Sequence, residues 1–307
     1  MSGMTRRRFL GVSAAAAGAY CLGRGEWFLR GEKYDLHLTE WDVPVPHLPA
    51  PLDGLRVAHF SDLHLTPEIS QDYLASALGY LDSLHADAIF FTGDLLSSVP
   101  RYLAQWAPAL ASLSAPHGKF AVMGNHDFFF NRRDTVVRTW QESGWEILRN
   151  RNVAMSGTNS RVWIVGVDDP VTGREDVAQA LVGVPPGVCR IGMGHSPDLV
   201  AELPPDSVDL LLCGHTHGGQ IVLPLLGPPA VNAQLGAYYA WGLFNYQGTM
   251  LEVTRGVGMV HPLYRLNCPP EIALLTLHPA PQPLPTDPFP CRTRRLHSVG
   301  ESLRERR

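Results

Sequence analysis

Along this chain, apolar runs repeatedly stop at a polar residue of metal-ligand type, often with a glycine just ahead of it. The stops are Asp62-Leu63-His64, Gly93-Asp94, Gly124-Asn125-His126-Asp127, Gly194-His195 and Gly214-His215-Thr216-His217. The runs themselves read as short buried strands: Leu55 to Phe60, Ala88 to Thr92, Lys119 to Met123, Val188 to Met193 and Val208 to Cys213. Between the first three lie helical patterns at Ser70 to Leu84, Arg101 to Ser114 and Arg132 to Ser143, the second of which Pro108 should shorten or kink. Alternating strands and helices predict an α/β layered domain. In such sheets, polar groups at the carboxyl ends of strands converge. Residues as far apart as Asp62 and His217 can therefore meet at one rim. Glycine ahead of the ligand permits unusual backbone angles and a close approach.

More strands follow in the second half. Arg161 to Val167 stops at Asp168, while Thr249 to Val253 and Ile272 to Leu277 come late and Tyr34 to Trp41 comes early. This surplus predicts two sheets packed face to face with helices outside, in a domain over residues 34–278. Residues 279–307 lose apolar periodicity, are rich in proline and arginine, and read as a disordered tail. A formal net charge of −4 leaves no broad basic footprint, so no nucleic-acid partner is expected. The five cysteines form no CxxC pair, which argues against a zinc ribbon, and Cys189 and Cys213 read as buried small hydrophobes.

Asp62, His64, Asp94, Asn125, His195, His215 and His217 supply oxygen and imidazole donors with no thiolate among them, a set that suits Mn, Fe or Zn. A carboxylate such as Asp94 can bridge two cations ~3.5–4 Å apart, and two-metal sites of this kind hydrolyse phosphate esters. The five motifs, in this order over residues 55–222, resemble the calcineurin-like metallophosphoesterase family. That resemblance implies a four-layer α-β-β-α sandwich of two mixed sheets flanked by helices. It also implies two divalent metal ions and a metal-bridging hydroxide as nucleophile. By the same resemblance one metal takes Asp62, His64, Asp94 and His217, and the other takes Asp94, Asn125, His195 and His215. His126 is then the acid that protonates the leaving oxygen, with Asp127 orienting it.

Residues 1–30 read as an address. Thr5-Arg6-Arg7-Arg8-Phe9-Leu10 and the Ala/Gly-rich stretch behind it resemble a twin-arginine export signal, which implies the export machinery as a partner and the periplasm or cell envelope as destination. Only fifteen residues separate Arg8 from Arg24. A spanning helix needs about 20. The stretches Leu52-Asp53-Gly54-Leu55-Arg56, Gly218-Gly219-Gln220-Ile221 and Asn267-Cys268-Pro269-Pro270-Glu271-Ile272 narrow the resemblance to a bacterial branch of exported or membrane-associated phosphodiesterases. Some relatives in that branch cleave the pyrophosphate of UDP-diacylglucosamine, so a phosphodiester or diphosphate substrate, lipid-linked or not, is implied. Export and a lipid A precursor point to different membrane leaflets, and the substrate stays open.

Three stretches carry two readings each. Leu223 to Tyr246, with Tyr238, Tyr239, Trp241 and Phe244, is either a surface for an acyl chain or membrane interface, or the packing of a long loop. Phe128-Phe129-Phe130, beside His126, is ambiguous in the same way. Arg255 and Arg265 either hold a second phosphate or make salt bridges. A phosphomonoesterase or phosphoprotein phosphatase of the same fold, and a metal-stabilised envelope-binding module without turnover, are the competing functions.

Overall fold

A computed structural model describes residues 32–97, 101–128, 133–235, 238–284 and 289–296. The export-type leader, Phe129, Phe130 and most of the last residues of the chain lie outside the described residues. In chain order the strands are β1 (His37–Val45), β2 (Leu55–Phe60), β3 (Ala88–Phe91), β4 (Lys119–Ala121), β5 (Glu146–Ile147), β6 (Arg151–Ala154), β7 (Val162–Gly166), β8 (Cys189–Met193), β9 (Leu210–Cys213), β10 (Gly242–Tyr246), β11 (Thr249–Val253), β12 (Glu271–Pro279) and β13 (Cys291–Arg295). The helices are α1 (Gln71–Ser83), α2 (Arg101–Ser112), α3 (Asn125–Phe128), α4 (Arg133–Glu142) and α5 (Val177–Leu181).

Two mixed sheets result, one in the order β13-β1-β12-β2-β3-β4-β5 and the other β10-β11-β9-β8-β7-β6. Val43, Val57, Phe90 and Leu275 of the first sheet meet Ile164, Ile191, Leu210 and Met250 of the second in the apolar layer between them. The outer face of the first sheet packs Phe60 and Phe91 against Tyr73 and Leu74 of α1, Leu110 of α2 and Trp140 of α4. The outer face of the second sheet carries Val165, Leu211 and Leu251 against Ala180 and Leu199. The chain therefore has the α-β-β-α layering expected from its sequence.

β2, β3 and β4 are parallel neighbours in one sheet, and β7, β8 and β9 are parallel neighbours in the other. Their carboxyl ends share one rim. Three differences from the sequence expectation have physical reasons. α2 runs through Pro108 to Ser112, because burial of Leu103, Trp106 and Leu110 against the sheet supports it on both sides of the missing donor. β1 continues through Pro44, a position tolerated near a strand end. The segment 279–307 is not wholly a disordered tail: Cys291–Arg295 pairs antiparallel with β1, from His37↔Arg295 to Trp41↔Cys291. The unpaired edge of β1 holds that strand, so its own lack of apolar periodicity does not matter. Among the described residues, no helix is long and apolar enough to cross a membrane.

Candidate metal centre

Each candidate donor sits on the first residues beyond a strand: Asp62 and His64 after β2, Asp94 after β3, Asn125 after β4, His195 after β8, and His215 and His217 after β9. Five of them hold φ values that L-residues rarely adopt: Asp62 55°, His64 46°, Asp94 57°, His215 70° and His217 51°. The left-handed turn at each strand end swings its side chain back over the rim. Such strain costs on the order of 1–3 kcal/mol per residue and persists only where the surroundings over-determine it. The glycines ahead of the ligands mostly provide room. A Cβ on Gly124 would strike the Asp94 carboxylate, and one on Gly214 would strike Ser61 and Asp62.

The two carboxylates are arranged alike. Asp62 Oδ2 accepts from the Ser61 hydroxyl and the His215 amide (3.1 Å), and Asp94 Oδ1 accepts from the His126 amide (2.9 Å). Their other oxygens face the imidazoles. Asp62 Oδ1 lies 3.4 Å from His217 Nε2 and 3.6 Å from His64 Nε2, and Asp94 Oδ2 lies 3.1 Å from His195 Nε2 and 3.5 Å from His64 Nε2. His195 Nδ1–H donates to Thr92 O at 2.7 Å, and His215 Nε2–H donates to the Asn232 carbonyl, so the nitrogen left on each ring is a bare lone pair. His64 and His217 point Nε2 at each other across 3.1 Å.

Three buried atoms of this set have no hydrogen-bond partner: Asp62 Oδ1, Asn125 Oδ1 and His195 Nε2. Buried polar atoms are ordinarily satisfied. These three are lone-pair donors, and a divalent cation is the partner that suits them all. Donor atoms of Asp62, His64 and His217 lie within 4.8 Å of one another, as do those of Asp94, His195 and His215, and those of His64, Asp94 and His126. Burial opposes ionisation of Asp62 and Asp94, but the facing imidazoles outweigh it and hold both carboxyls below their usual range. Burial lowers His126, His215 and His217, which favours the neutral rings. The mouth is an open cleft of about 250 Å³ whose lining includes His215, His217, Gln220, Asn232 and His261.

His126 is only half buried, its ring edge-on to His64 with centroids 4.8 Å apart, so it borders both the ligand cluster and solvent. Asp127, expected to orient that ring, directs its carboxylate to main-chain amides. Its carboxylate accepts the amides of Asp94 and Gly124 (3.0 Å each) and of Leu96 (3.2 Å), which ties the loop after β3 to the loop after β4. Burial, with the Asp94 charge added, pushes Asp127 up to about 7.

The two arginines are not free for substrate. Arg255 is buried in an ion pair with Glu271, at 2.9 Å from Nε and 2.7 Å from Nη2, and lies 4.4 Å above the Trp241 ring. Trp241 Nε1–H also donates to Glu271, at 2.7 Å, so Trp241 belongs to this clasp. Arg265 is fully buried, and its Nη2 donates to the carbonyls of Arg255, Gly256 and Gly258 at 2.7–3.2 Å and lies 3.4 Å from His217 Nδ1. It shapes the loop that backs His217. Phe128 is half buried with the Arg149 and Arg174 guanidiniums 5.7 and 5.3 Å from its ring centre.

The sequence reading passed over Asp169. It follows β7 just as Asp94 follows β3, it is fully buried, and its Oδ2 has no partner. Burial and Asp94 outweigh the pull of His195 and push it up to about 6. Its signal was an apolar strand ending in Asp168-Asp169 on the same rim. Thr92 was also missed. Its carbonyl holds His195, and its hydroxyl meets His59 Nε2 at 2.8 Å, while His59 Nδ1 contacts Glu252 of the opposite sheet.

Residues 55–219 match the model of the calcineurin-like phosphoesterase family. The metallophosphoesterase YkuE of Bacillus subtilis is 32% identical over 283 residues, 90% of this chain and 99% of that protein. The phosphodiesterase YaeI of Escherichia coli is 29% identical, covering 72% of this chain and 82% of its own length. The UDP-2,3-diacylglucosamine pyrophosphatase LpxG of Chlamydia trachomatis is 28% identical, over 78% of this chain and 88% of its own. The chain belongs to the calcineurin-like phosphoesterase family and is a metal-dependent hydrolase of phosphoric esters.

Proposed function

We propose that this hydrolase is a phosphodiesterase or pyrophosphatase of the cell envelope working with two divalent cations. The observation that carries the reading is the convergence of three buried, partnerless acceptors, Asp62 Oδ1, Asn125 Oδ1 and His195 Nε2, within the cluster of imidazoles and carboxylates. Asp62, His64, Asp94 and His217 would hold one cation, and Asp94, Asn125, His195 and His215 the other, with Asp94 shared. Mn, Fe and Zn suit these donors. When bound, such ions lower the pKa of water and withdraw charge from phosphoryl oxygens.

The rest falls to the chain itself. Asp127 and the strand-end turns hold the donors in place, which preorganises the site. His126, half buried beside His64 at the border of the cluster and solvent, is placed to give a proton to the departing oxygen. Arg255 and Arg265 spend their guanidiniums on Glu271 and on main-chain carbonyls, which leaves neither to clamp the extra charge of a phosphomonoester. Relatives described as a phosphodiesterase and a pyrophosphatase point the same way. The Thr5–Leu10 arginine motif supports export and an envelope location.

The test compares bis-p-nitrophenyl phosphate with p-nitrophenyl phosphate on Mn-loaded full-length protein, followed by nucleotide-diphosphate-linked lipids with product identification. Faster diester turnover is expected. Turnover confined to the monoester would reject the reading, and no turnover of any phosphate ester would favour a binding module.

A further inference from the structure

From Gly218 to Leu251 the chain has no Asp, Glu, Lys, Arg or His, where its 18% charged content would place about six charged residues in a run of that length. The aromatic part of this run is packing: Tyr239 meets Phe244 and Tyr246 edge-on, at 5.0 and 5.9 Å, against the outer face of the second sheet. Elsewhere in the run, large apolar side chains stand exposed. Leu225 (106%), Leu226 (81%) and Tyr238 (80%) are three of the five exposed large hydrophobics among the described residues.

Leu225 and Leu226 form the tip of a tight turn closed by Leu223 N–H to Gly227 O and Gly227 N–H to Leu223 O, both 2.9 Å. Leu225 has φ 67°, where glycine or asparagine would serve a turn facing water better. The base of the turn is anchored by Val222 N–H to Leu266 O (2.9 Å) and by Asn267 Nδ2 to Val222 O (2.8 Å). Ile221 and Pro229, on either side of the turn, line the cleft of the metal centre.

Residues 1–31, which include the apolar stretch from Phe9 to Leu22, join the fold at Glu32. Glu32 N–H donates to Arg265 O (3.0 Å), and its carboxylate accepts from Cys268 N–H (2.8 Å). The leader thus enters on the strip 265–268 that anchors the turn. An apolar, uncharged tip enters a bilayer interface without the cost of desolvating a charge, and here it stands beside both the site mouth and the root of an apolar leader.

We propose that the Leu223–Gly227 turn is a membrane-contact element that seats the cleft of the metal centre against a lipid bilayer. The contact rests on the envelope location proposed above. It is independent of whether the enzyme turns over a given ester.

Hydrogen–deuterium exchange on the full-length chain, with and without phosphatidylcholine vesicles, tests it. Amides over 222–228 should slow by about tenfold or more on vesicles, while the exposed Val171–Val182 region stays unchanged. The slowing should not depend on salt or on added phosphatidylglycerol, because the tip carries no charge. The double variant Leu225→Asp/Leu226→Asp should lose the protection yet keep soluble-diester hydrolysis. Unchanged exchange over 222–228 on vesicles overturns the proposal. So does protection that rises with protein concentration without lipid, which would make a second copy the occupant. Protection by a soluble acyl-chain substrate but not by vesicles would also overturn it.

Discussion

Left-handed turns at Asp62, His64, Asp94, His215 and His217, with φ between 46° and 70°, place the lone pairs of one cluster on a single rim. The candidate donors were legible because glycine, aspartate and histidine after an apolar run are conspicuous. The strain was not, since nothing local makes an aspartate prefer positive φ. His126 offers a sharp test of its role. His126→Asn should lower turnover of an alkyl diester by about 100- to 10,000-fold. It should lower that of a p-nitrophenyl diester much less, because p-nitrophenolate leaves without a proton. Equal losses on the two substrates would reject the acid role.

Asp169 gives a prediction in stability. Its folded pKa of about 6 lies above the usual aspartate value of about 3.9, so the fold favours its protonated form. The stability it contributes is full below about pH 4 and is lost as pH rises through about 6. In chelator-treated protein, Asp169→Asn should therefore raise stability at pH 7.5 by up to about 3 kcal/mol and change it little near pH 4. Thermal melts at the two pH values check this, and stabilisation at pH 4 alone would contradict it.

Among the elements, β2 and β11 lie where their apolar runs predicted, and α1 begins after Ser70, whose hydroxyl accepts the Tyr73 amide at 3.3 Å. Elements held by a partner were harder to read. β13 is held by the edge of β1, and β5, with two residues, by its neighbour β4. The loop between β11 and β12 shows the same dependence. Arg255 could be read as a phosphate ligand until Glu271, on β12, was seen to face it. Breaking a buried pair leaves an uncompensated charge, so Arg255→Met should cost about 3–5 kcal/mol. Arg255→Met/Glu271→Leu should cost clearly less than the two single changes together, measured by urea denaturation. Additive losses would mean that the pair does not act as a unit.

Across the whole molecule, the metal centre joins two sheets whose strands are remote in sequence. His64 faces His217 and Asp94 faces His195, each pair bridging the sheets. A cation bound there stabilises only the folded chain, by about 2.7 kcal/mol at a hundredfold excess over its Kd. Mn loading should therefore raise Tm, chelation should reverse the rise, and Asp62→Ala should abolish it. A metal-dependent shift retained in that variant would place the binding elsewhere.

The sequence by itself determined the candidate donors, the strand-loop pattern that carries them and the family it resembles, because those signals are local: residue type, glycine and an apolar run of strand length. Only the tertiary structure decided the rest. It gave Arg255, Arg265 and Trp241 to the scaffold, added Asp169 to the rim, turned Asp127 toward backbone amides, and left Leu225 and Leu226 in the open. Each of those outcomes depends on which group a side chain meets from a distant strand or loop, and no local pattern in the chain records that partner.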